Sequence, residues 1–162
     1  PGLRSGFVAG DARLLKAFLL YRTYHGSAMS PLVQRASIAA WSDEAHVQAN
    51  RDLYRSKFAQ VTPLLADVLD VRLPDAGFYL WAAVPRSAQG AAVRTGDDVA
   101  FALQLLAQYN VAVLPGSLLA REAHGHNPGA GRIRMALVAP TDECVEAARR
   151  IHTFTSSRLE RP

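Results

Sequence analysis

Residues 132–143 read RIRMALVAPTDE and predict a strand that runs into a helix. Arginine and apolar residues alternate in its first four positions, which is the period of a strand with two unlike faces. One face carries Ile133 and Met135, and the other carries Arg132 and Arg134. The closing TDE supplies a hydroxyl that can cap a helix and two acidic side chains that suit its positive end.

Strand-like and helix-like segments alternate along the rest of the chain. GFYLWAAV (77–84) and VAVLPGS (111–117) predict strands rich in branched or aromatic residues, and VAFALQLLAQY (99–109) predicts a helix between them. Upstream, RSGFVAG (4–10) predicts a short strand, after which Asp11 can cap a helix. The alternation predicts an α/β or α+β fold.

A loop, a helix and a second, longer helix follow the first helix. YHGSAMSP (24–31) has the Gly and Pro of a loop, and LVQRASIAAW (32–41) returns to helical spacing. The long helix is indicated by an apolar stripe formed by Val47, Tyr54, Phe58, Val61, Leu65 and Val68. We expect Pro63 to kink or restart this helix, and we expect a surface loop at SAQGAAVRTGDD (87–98).

The composition is that of a soluble globular chain without a nucleic-acid or membrane partner. Hydrophobic residues make up 49% and charged residues 20% of the 162 residues, and no apolar run approaches the ~20 residues of a membrane helix. The net charge is +4, but the basic residues are scattered rather than clustered. The single Cys144 and the lack of a signal-like N-terminus lead us to expect a cytoplasmic protein.

Two arginines are candidates for binding an anion. Arg4 lies in a Gly-flanked turn where its guanidinium could hold a phosphate, although an exposed, unengaged Arg would show the same pattern. Arg134 could hold a carboxylate with its planar fork, in competition with Arg132 on the same strand face or with a simple outward orientation. The residue pattern alone leaves these alternatives open.

Other reactive side chains fit structural roles. His124 and His126 are too few for a zinc site, so we expect no metal. Cys144 has no partner histidine nearby in sequence and is expected to be a structural thiol. Lys16 and Lys57, the only lysines, lie on polar helix faces and are expected to be solvated.

Four motifs in order, PGLRSGFVAGD, GFYLW, VAVLPGS and RIRMALVAPTDE, give a resemblance to the C-terminal half of class I/II aminotransferases. The resemblance implies the pyridoxal-phosphate-dependent transferase fold of type I. It also implies that residues 1–45 end the large, cofactor-binding domain and that residues 46–162 form the small α+β domain with the interdomain helix. The implied cofactor is pyridoxal 5′-phosphate, the implied substrates are an amino acid and a 2-oxo acid, and the implied assembly is a homodimer.

The resemblance also implies individual residue roles. Arg4, in G-x-R-x-G, corresponds to the phosphate ligand, and the Schiff-base lysine of the family would then lie just upstream of Pro1, outside this chain. Arg134, rather than Arg132, corresponds to the arginine that binds the substrate α-carboxylate. The loop after the first helix enters the neighbouring active site in several relatives, and here it offers Ser27, Met29 and Ser30. The chain departs from the family after PGS, where many relatives carry Phe-Gly and this chain has Leu-Leu-Ala.

Within the family, FLLYRTYHGSAMSPLVQRASIAAWSDEAHV is most similar to the succinyldiaminopimelate transaminases of bacterial lysine and diaminopimelate biosynthesis, which use glutamate as amino donor. An aspartate-type aminotransferase or a carbon–sulfur lyase on the same scaffold is the first alternative. A non-catalytic α/β binding module is the second. Without the lysine, we expect this stretch alone to be inactive.

Overall fold

The computed structural model describes residues 2–85 and 97–159, and the chain divides into two compact units, Pro1–Asn50 and Arg51–Pro162. Its helices are α1 (Ala12–His25), α2 (Pro31–Trp41), α3 (Glu44–Leu65), α4 (Asp97–Tyr109), α5 (Gly116–Leu119) and α6 (Thr141–Leu159). Its strands are β1 (Tyr79–Ala83), β2 (Leu114–Pro115) and β3 (Arg132–Ala136). The division between the units falls within α3.

Helix starts in the N-terminal unit (Pro1–Asn50) are set by capping side chains. The Asp11 carboxylate accepts a hydrogen bond from the Arg13 amide at 2.8 Å and begins α1. The Ser30 hydroxyl accepts from the Val33 amide at 3.4 Å, and Pro31 takes the first helical position of α2. Both helices were predicted from the sequence, although α1 extends two residues into the predicted loop and ends at His25, and α2 begins one residue early at Pro31.

The predicted strand at residues 4–10 is wrong. These residues pair with no other strand among the described parts of the chain. A strand needs a ladder partner for its amides and carbonyls, and an apolar run between glycines does not reveal whether one is available.

The C-terminal unit (Arg51–Pro162) is built on a three-stranded antiparallel sheet of order β1-β3-β2. Along the central β3, Arg134 lies opposite Trp81 of β1 on one side and Leu114 of β2 on the other. β2 is only two residues long, although VAVLPGS predicted a longer strand, because residues 111–113 form no ladder with β3. The predicted strands at β1 and β3 are confirmed.

One hydrophobic core holds the C-terminal unit together. It joins the inward face of the sheet to helices α3, α4 and α6, and its large buried apolar side chains include Val61, Leu65, Leu80, Phe101, Leu105, Ile133, Ile151 and Phe154. Phe101 and Phe154 meet edge to face, with ring centroids 5.1 Å apart. The predicted apolar stripe of the long helix therefore does face a core over Phe58, Val61 and Leu65.

Two helix details differ from expectation. α3 continues through Pro63, which cannot donate the amide hydrogen bond of its position, and the helix ends two residues later at Leu65. α4 begins at Asp97, two residues earlier than predicted, and the rest of the predicted loop at 87–98 lies outside the described residues. Among residues 2–85 and 97–159, no helix combines the length and apolarity needed to cross a membrane.

Candidate functional site

The sheet of the C-terminal unit has one open face that carries aromatic and basic side chains. Side chains directly opposite each other in an antiparallel pair share a face, so Tyr79, Trp81, Leu114, Arg132 and Arg134 lie together. The other face is the buried core face. Tyr79 and Trp81 retain 36% and 38% of their exposure, which leaves rings available to a ligand on this face.

Arg134 occupies the middle of the open face. Its guanidinium carbon lies 4.4 Å from the centroid of the Tyr79 ring, a cation–π contact worth roughly 0.5–1 kcal/mol at an exposed site. Among the described residues, no carboxylate pairs with Arg134. The ring fixes the plane of the guanidinium without using its five N–H donors, so the fork remains free for a carboxylate ligand.

Arg132 lies on the same sheet face, but its cross-strand neighbours differ from those of Arg134. It lies opposite Ala83 at the end of β3, whereas Arg134 lies between Trp81 and Leu114. The geometry therefore places a large apolar side chain on each side of Arg134 and leaves Arg132 at the end of the strand.

A tightly held turn, formed by β2 and the first two residues of α5 (Leu114–Ser117), lies beside this face. The Asp98 carboxylate accepts from the Ser117 amide at 2.7 Å, and the Asn127 side-chain amide donates to the Ser117 carbonyl at 3.0 Å. A side chain at Gly116 would collide with backbone at Gly129 and with the Trp81 indole. Only glycine fits there, and the turn packs directly against a residue of the open face.

Sequence reasoning missed Asp98 and Asn127. From the sequence, Asp98 was assigned to the end of a surface loop that caps the next helix, and Asn127 was assigned to a glycine-containing loop. Adjacent aspartates at a helix start are indistinguishable by pattern, yet Asp97 is exposed and Asp98 is fully buried. The contact between the buried carboxylate and the Pro-Gly-Ser turn depends on tertiary structure. Residue spacing within a single helix or strand therefore cannot predict it.

Arg4 belongs to the N-terminal unit. It is an exposed non-glycine residue with a backbone φ of +56°, a left-handed conformation that is uncommon outside glycine and recurs at functional sites. The next residue, Ser5, bonds through its hydroxyl to Ser37, which in turn donates to the Val33 carbonyl at 2.8 Å. The segment is thus tied to α2, while the Arg4 guanidinium pairs with no side chain in the described ranges and offers all its donors.

The loop between α1 and α2 has its own internal contacts. Arg22 donates to the Ser27 carbonyl at 3.1 Å, and Gln34 donates to the Met29 carbonyl at 2.9 Å. The Ser30 hydroxyl is engaged as the cap of α2. Next to the loop, a cleft of about 590 Å³ is lined by residues of α1 and by Ser27. The hydroxyl of Ser27 is therefore freer to contact a ligand than that of Ser30.

The prediction that Lys57 is solvated is wrong. Lys57 is 3% exposed, and its ammonium donates to the carbonyls of Leu137 at 2.9 Å and Ala139 at 2.6 Å. Its amine satisfies carbonyls in the segment between β3 and α6, and its aliphatic stem fills space in the core. Lys16, by contrast, is exposed on α1, as predicted.

Cys144 is a buried structural thiol, as expected. Its Sγ donates to the Ala139 carbonyl at 3.3 Å, and burial raises the pKa of the thiol, opposed in part by the nearby Lys57 charge. Within residues 2–85 and 97–159, no group of three potential ligands could hold a metal ion.

Comparison with known proteins identifies relatives over almost the whole chain. The family profile described as Aminotransferase class I and II matches residues 1–151. The crystal structure of an aminotransferase from Neisseria meningitidis Z2491 is 58% identical, with a TM-score of 0.78, and the match covers 96% of this chain and 37% of that one. An LL-diaminopimelate aminotransferase from Desulforudis audaxviator is 32% identical over 93% of this chain and 35% of its own length. The structure of a probable N-succinyldiaminopimelate aminotransferase from Thermus thermophilus is 29% identical, with a TM-score of 0.69, over 89% of this chain and 35% of that one.

These matches confirm the predicted fold, that of the pyridoxal-phosphate-dependent transferases of type I. The cofactor of the matching family is pyridoxal 5′-phosphate. The chain spans about a third of the length of the curated relatives it matches. Because the family profile covers residues 1–151, the chain belongs to the class I and II aminotransferases.

Proposed function

We propose that the source protein is a pyridoxal-phosphate-dependent aminotransferase and that Arg134 binds the α-carboxylate of its amino-acid substrate. The main support is the position of the Arg134 guanidinium. It lies over the Tyr79 ring on an open sheet face and has no carboxylate partner among the described residues. In this proposal, residues 1–45 end the large domain, and residues 46–162 form the small domain with the interdomain helix.

The described residues fit the phosphate of the cofactor. Arg4 carries a charge that is fixed at physiological pH, and its donors have no intramolecular partner among the described residues. We therefore assign Arg4 to the cofactor phosphate. When bound, the cofactor supplies the electron sink for chemistry at the substrate Cα, while the protein provides binding and orientation.

Arg134 contributes orientation rather than proton transfer. A bidentate pair between its guanidinium and a carboxylate fixes two oxygens and thereby the direction of the neighbouring Cα–H bond. Trp81 and Leu114 lie on either side of Arg134 across the sheet and would shield that pair from water. Shielding strengthens a charge-assisted hydrogen bond, because the local dielectric is lower.

Neither lysine of this chain suits the covalent attachment of the cofactor. The Lys57 ammonium is committed to two backbone carbonyls in the core, and Lys16 projects from the exposed α1. Together with the fraction of the relatives that the chain spans, this supports a cofactor-bearing lysine upstream of Pro1. We accordingly propose that residues 1–162 alone do not catalyse transamination.

For the substrate, we propose N-succinyldiaminopimelate, with glutamate as amino donor. The proposal is supported by the resemblance of residues 18–47 to that subfamily and by the Thermus thermophilus relative. The LL-diaminopimelate aminotransferase relative makes unsuccinylated diaminopimelate the second candidate. In both cases the amino acid carries a distal polar group in addition to the α-carboxylate.

A homodimer is part of the same proposal. In it, Ser27, Met29 and Ser30 reach the active site of the neighbouring subunit. The Ser27 hydroxyl lies beside the cleft of the N-terminal unit and has no hydrogen-bond partner among the described residues, which supports a contact role, whereas the Ser30 hydroxyl is already engaged as a cap. Light scattering on the purified source protein should give twice the subunit mass, and a monomer with full activity would contradict this proposal.

Borohydride reduction of the source protein, followed by tryptic peptide mapping, tests the cofactor and its lysine. We expect a pyridoxyl-lysine peptide that ends in Pro-Gly-Leu-Arg at Arg4, since trypsin does not cleave at the modified lysine. A pyridoxyl group on Lys16 or Lys57 would overturn the assignment of the lysine. Absence of any pyridoxyl mass from active protein would overturn the proposed function.

Amino-donor profiling separates the candidate substrates. With 2-oxoglutarate as acceptor, we expect kcat/KM to be highest for N-succinyl-LL-2,6-diaminopimelate, ahead of LL-2,6-diaminopimelate and aspartate. A higher value for the unsuccinylated compound would transfer the assignment to the second candidate. Release of a thiol from cystathionine without transamination would favour the lyase alternative.

A further inference from the structure

The strand beside Arg134 is too short to hold its own position. β2 has two residues, and Pro115 lacks the amide N–H that a ladder would use. Leu114 nevertheless lies directly opposite Arg134, on the open face. Some other contact must therefore fix the register of β2.

Asp98 supplies that contact from the core. Its side chain is fully buried at the start of α4, and Oδ2 accepts from the Ser117 amide at 2.7 Å, two residues after β2 ends. The other oxygen, Oδ1, has no hydrogen-bond partner in the described chain. A buried acid with one satisfied and one unsatisfied oxygen is costly to keep, so its one bond merits a functional explanation.

Asn127 holds the same residue from the opposite side. Its side-chain amide donates to the Ser117 carbonyl at 3.0 Å, and its side-chain oxygen accepts from the Gly129 amide at 2.9 Å. The peptide groups on both sides of Ser117 are thus fixed. Gly116, next to it, lies flush against Trp81, whose Cα partner across the sheet is Arg134.

We infer that Asp98 is a positioning residue for substrate binding: through Ser117 it holds the Leu114–Ser117 turn and Trp81 in place on either side of Arg134. This inference rests on the proposed function of Arg134 and deepens it. Asp98 touches neither substrate nor cofactor in this account, and its effect reaches the carboxylate site only through the turn.

Kinetics of the holoenzyme test the inference. Asp98→Ala should raise KM for every amino-acid substrate about tenfold, with kcat changed less than about twofold, because the carboxylate site loosens while the bound substrate still reacts. Asp98→Asn keeps an acceptor oxygen and should restore KM to within about threefold of the parent. The matched control is Asp142→Ala, which removes an exposed first-turn acid from α6 and should leave both constants unchanged.

A second readout does not depend on activity. In a background where every other tryptophan of the source protein, Trp41 among them, is replaced by phenylalanine, acrylamide quenching of Trp81 reports on its packing against the turn. Quenching should increase in Asp98→Ala and should return toward the parent value in Asp98→Asn. If Asp98→Ala does not fold, Asn127→Ala takes its place and should raise both KM and quenching.

Two sets of results would overturn the inference about Asp98. An unchanged KM and unchanged quenching in Asp98→Ala, or in Asn127→Ala where that variant is needed, would overturn the inference. A fall in kcat equal to the rise in KM would also overturn it, since that indicates general damage rather than positioning. If the parent protein shows no aminotransferase activity, the proposed function fails, and the quenching series alone still shows whether Asp98 holds the turn against Trp81.

Discussion

The two units of the chain use similar helical patterns with opposite results. In the C-terminal unit, apolar side chains on α3, α4 and α6 are buried against the sheet, and Leu105 is 0% exposed. In the N-terminal unit, Leu14 of α1 is 73% exposed, and Ser37 is the only buried residue among those described. Helical spacing therefore identifies an apolar face without identifying what covers it.

Stability measurements on the 162-residue chain would show this contrast most strongly. Leu105→Ala removes a fully buried side chain and should lower the free energy of unfolding by about 3–4 kcal/mol, through lost transfer energy and a residual cavity. Leu14→Ala is the matched control and should change it by less than about 0.5 kcal/mol. If urea unfolding gave the same loss of unfolding free energy for both variants, the Leu14 and Leu105 side chains would be buried to the same extent in solution.

A second comparison concerns arginines on the open sheet face. Arg134→Ala should lower kcat/KM of the holoenzyme for all amino acids by about 100-fold, the scale expected when a shielded carboxylate loses its partner. Arg132→Ala, on the same face but at the strand end, should change kcat/KM by less than about threefold. A larger loss in Arg132→Ala than in Arg134→Ala would move the carboxylate site to Arg132.

The lysines extend the contrast between the units. Lys57→Met keeps the length of the side chain but removes the ammonium donor from the Leu137 carbonyl and leaves the Ala139 carbonyl only the weak thiol donor of Cys144, and should destabilise the chain by about 2 kcal/mol. Lys16→Met, in the exposed α1, should leave the denaturation midpoint unchanged. Stability of Lys57→Met equal to that of the parent would mean that water replaces the ammonium.

Arg4 tests the contribution of the N-terminal unit to cofactor binding. Arg4→Ala in the source protein should raise the dissociation constant for pyridoxal phosphate about tenfold, because one charge-assisted contact to the phosphate is lost. With saturating cofactor, KM for the amino acid should stay near the parent value. Arg13→Ala, whose guanidinium already pairs with Asp11 at 2.9 Å, is the control and should retain cofactor normally.

The smallest expected effect is on how stability depends on pH. It distinguishes an ion pair between residues near in sequence from one between residues far apart. Hydrogen bonding to His152 holds the pKa of Asp67 below its usual value of 3.8, and His46 does the same for Asp43. A lowered folded-state pKa adds stability above the unfolded value and loses it as pH falls through the folded value.

Asp67→Asn should therefore flatten the loss of stability as pH falls below about 4. Asp43→Asn should flatten it less, because Asp43 and His46 are three residues apart and can interact in the unfolded chain, whereas Asp67 and His152 cannot. Urea unfolding at stepped pH values measures both, and identical acid profiles for the two variants would contradict the distinction.

The sequence predicts a helix best where a capping residue and apolar periodicity agree, as at Asp11 for α1. It predicts the two longer strands because their alternation matches one buried and one open face. It fails at residues 4–10 and 111–113, since pairing depends on a distant partner.

The candidate site shows the same division. Arg4 and Arg134 could be singled out because their residue type and motif positions suggest anion binding. Asp98 could not, because its importance arises from a hydrogen bond across 19 positions to a turn. Lys57 was misjudged for the same reason: a lysine on a helix is expected to reach solvent, and only the packed carbonyls near Ala139 explain its burial.

The contact between Gly116 and Gly129 limits how this protein can change over evolution. A side chain at either position would strike backbone atoms of the other glycine first, and a second substitution cannot shorten backbone. No compensating mutation is therefore available at the partner position. In variant libraries of this chain, each glycine should be retained whatever residue stands at the other position. Sequence change at this edge of the sheet is therefore expected at neighbours such as Leu114, with the two glycines unchanged.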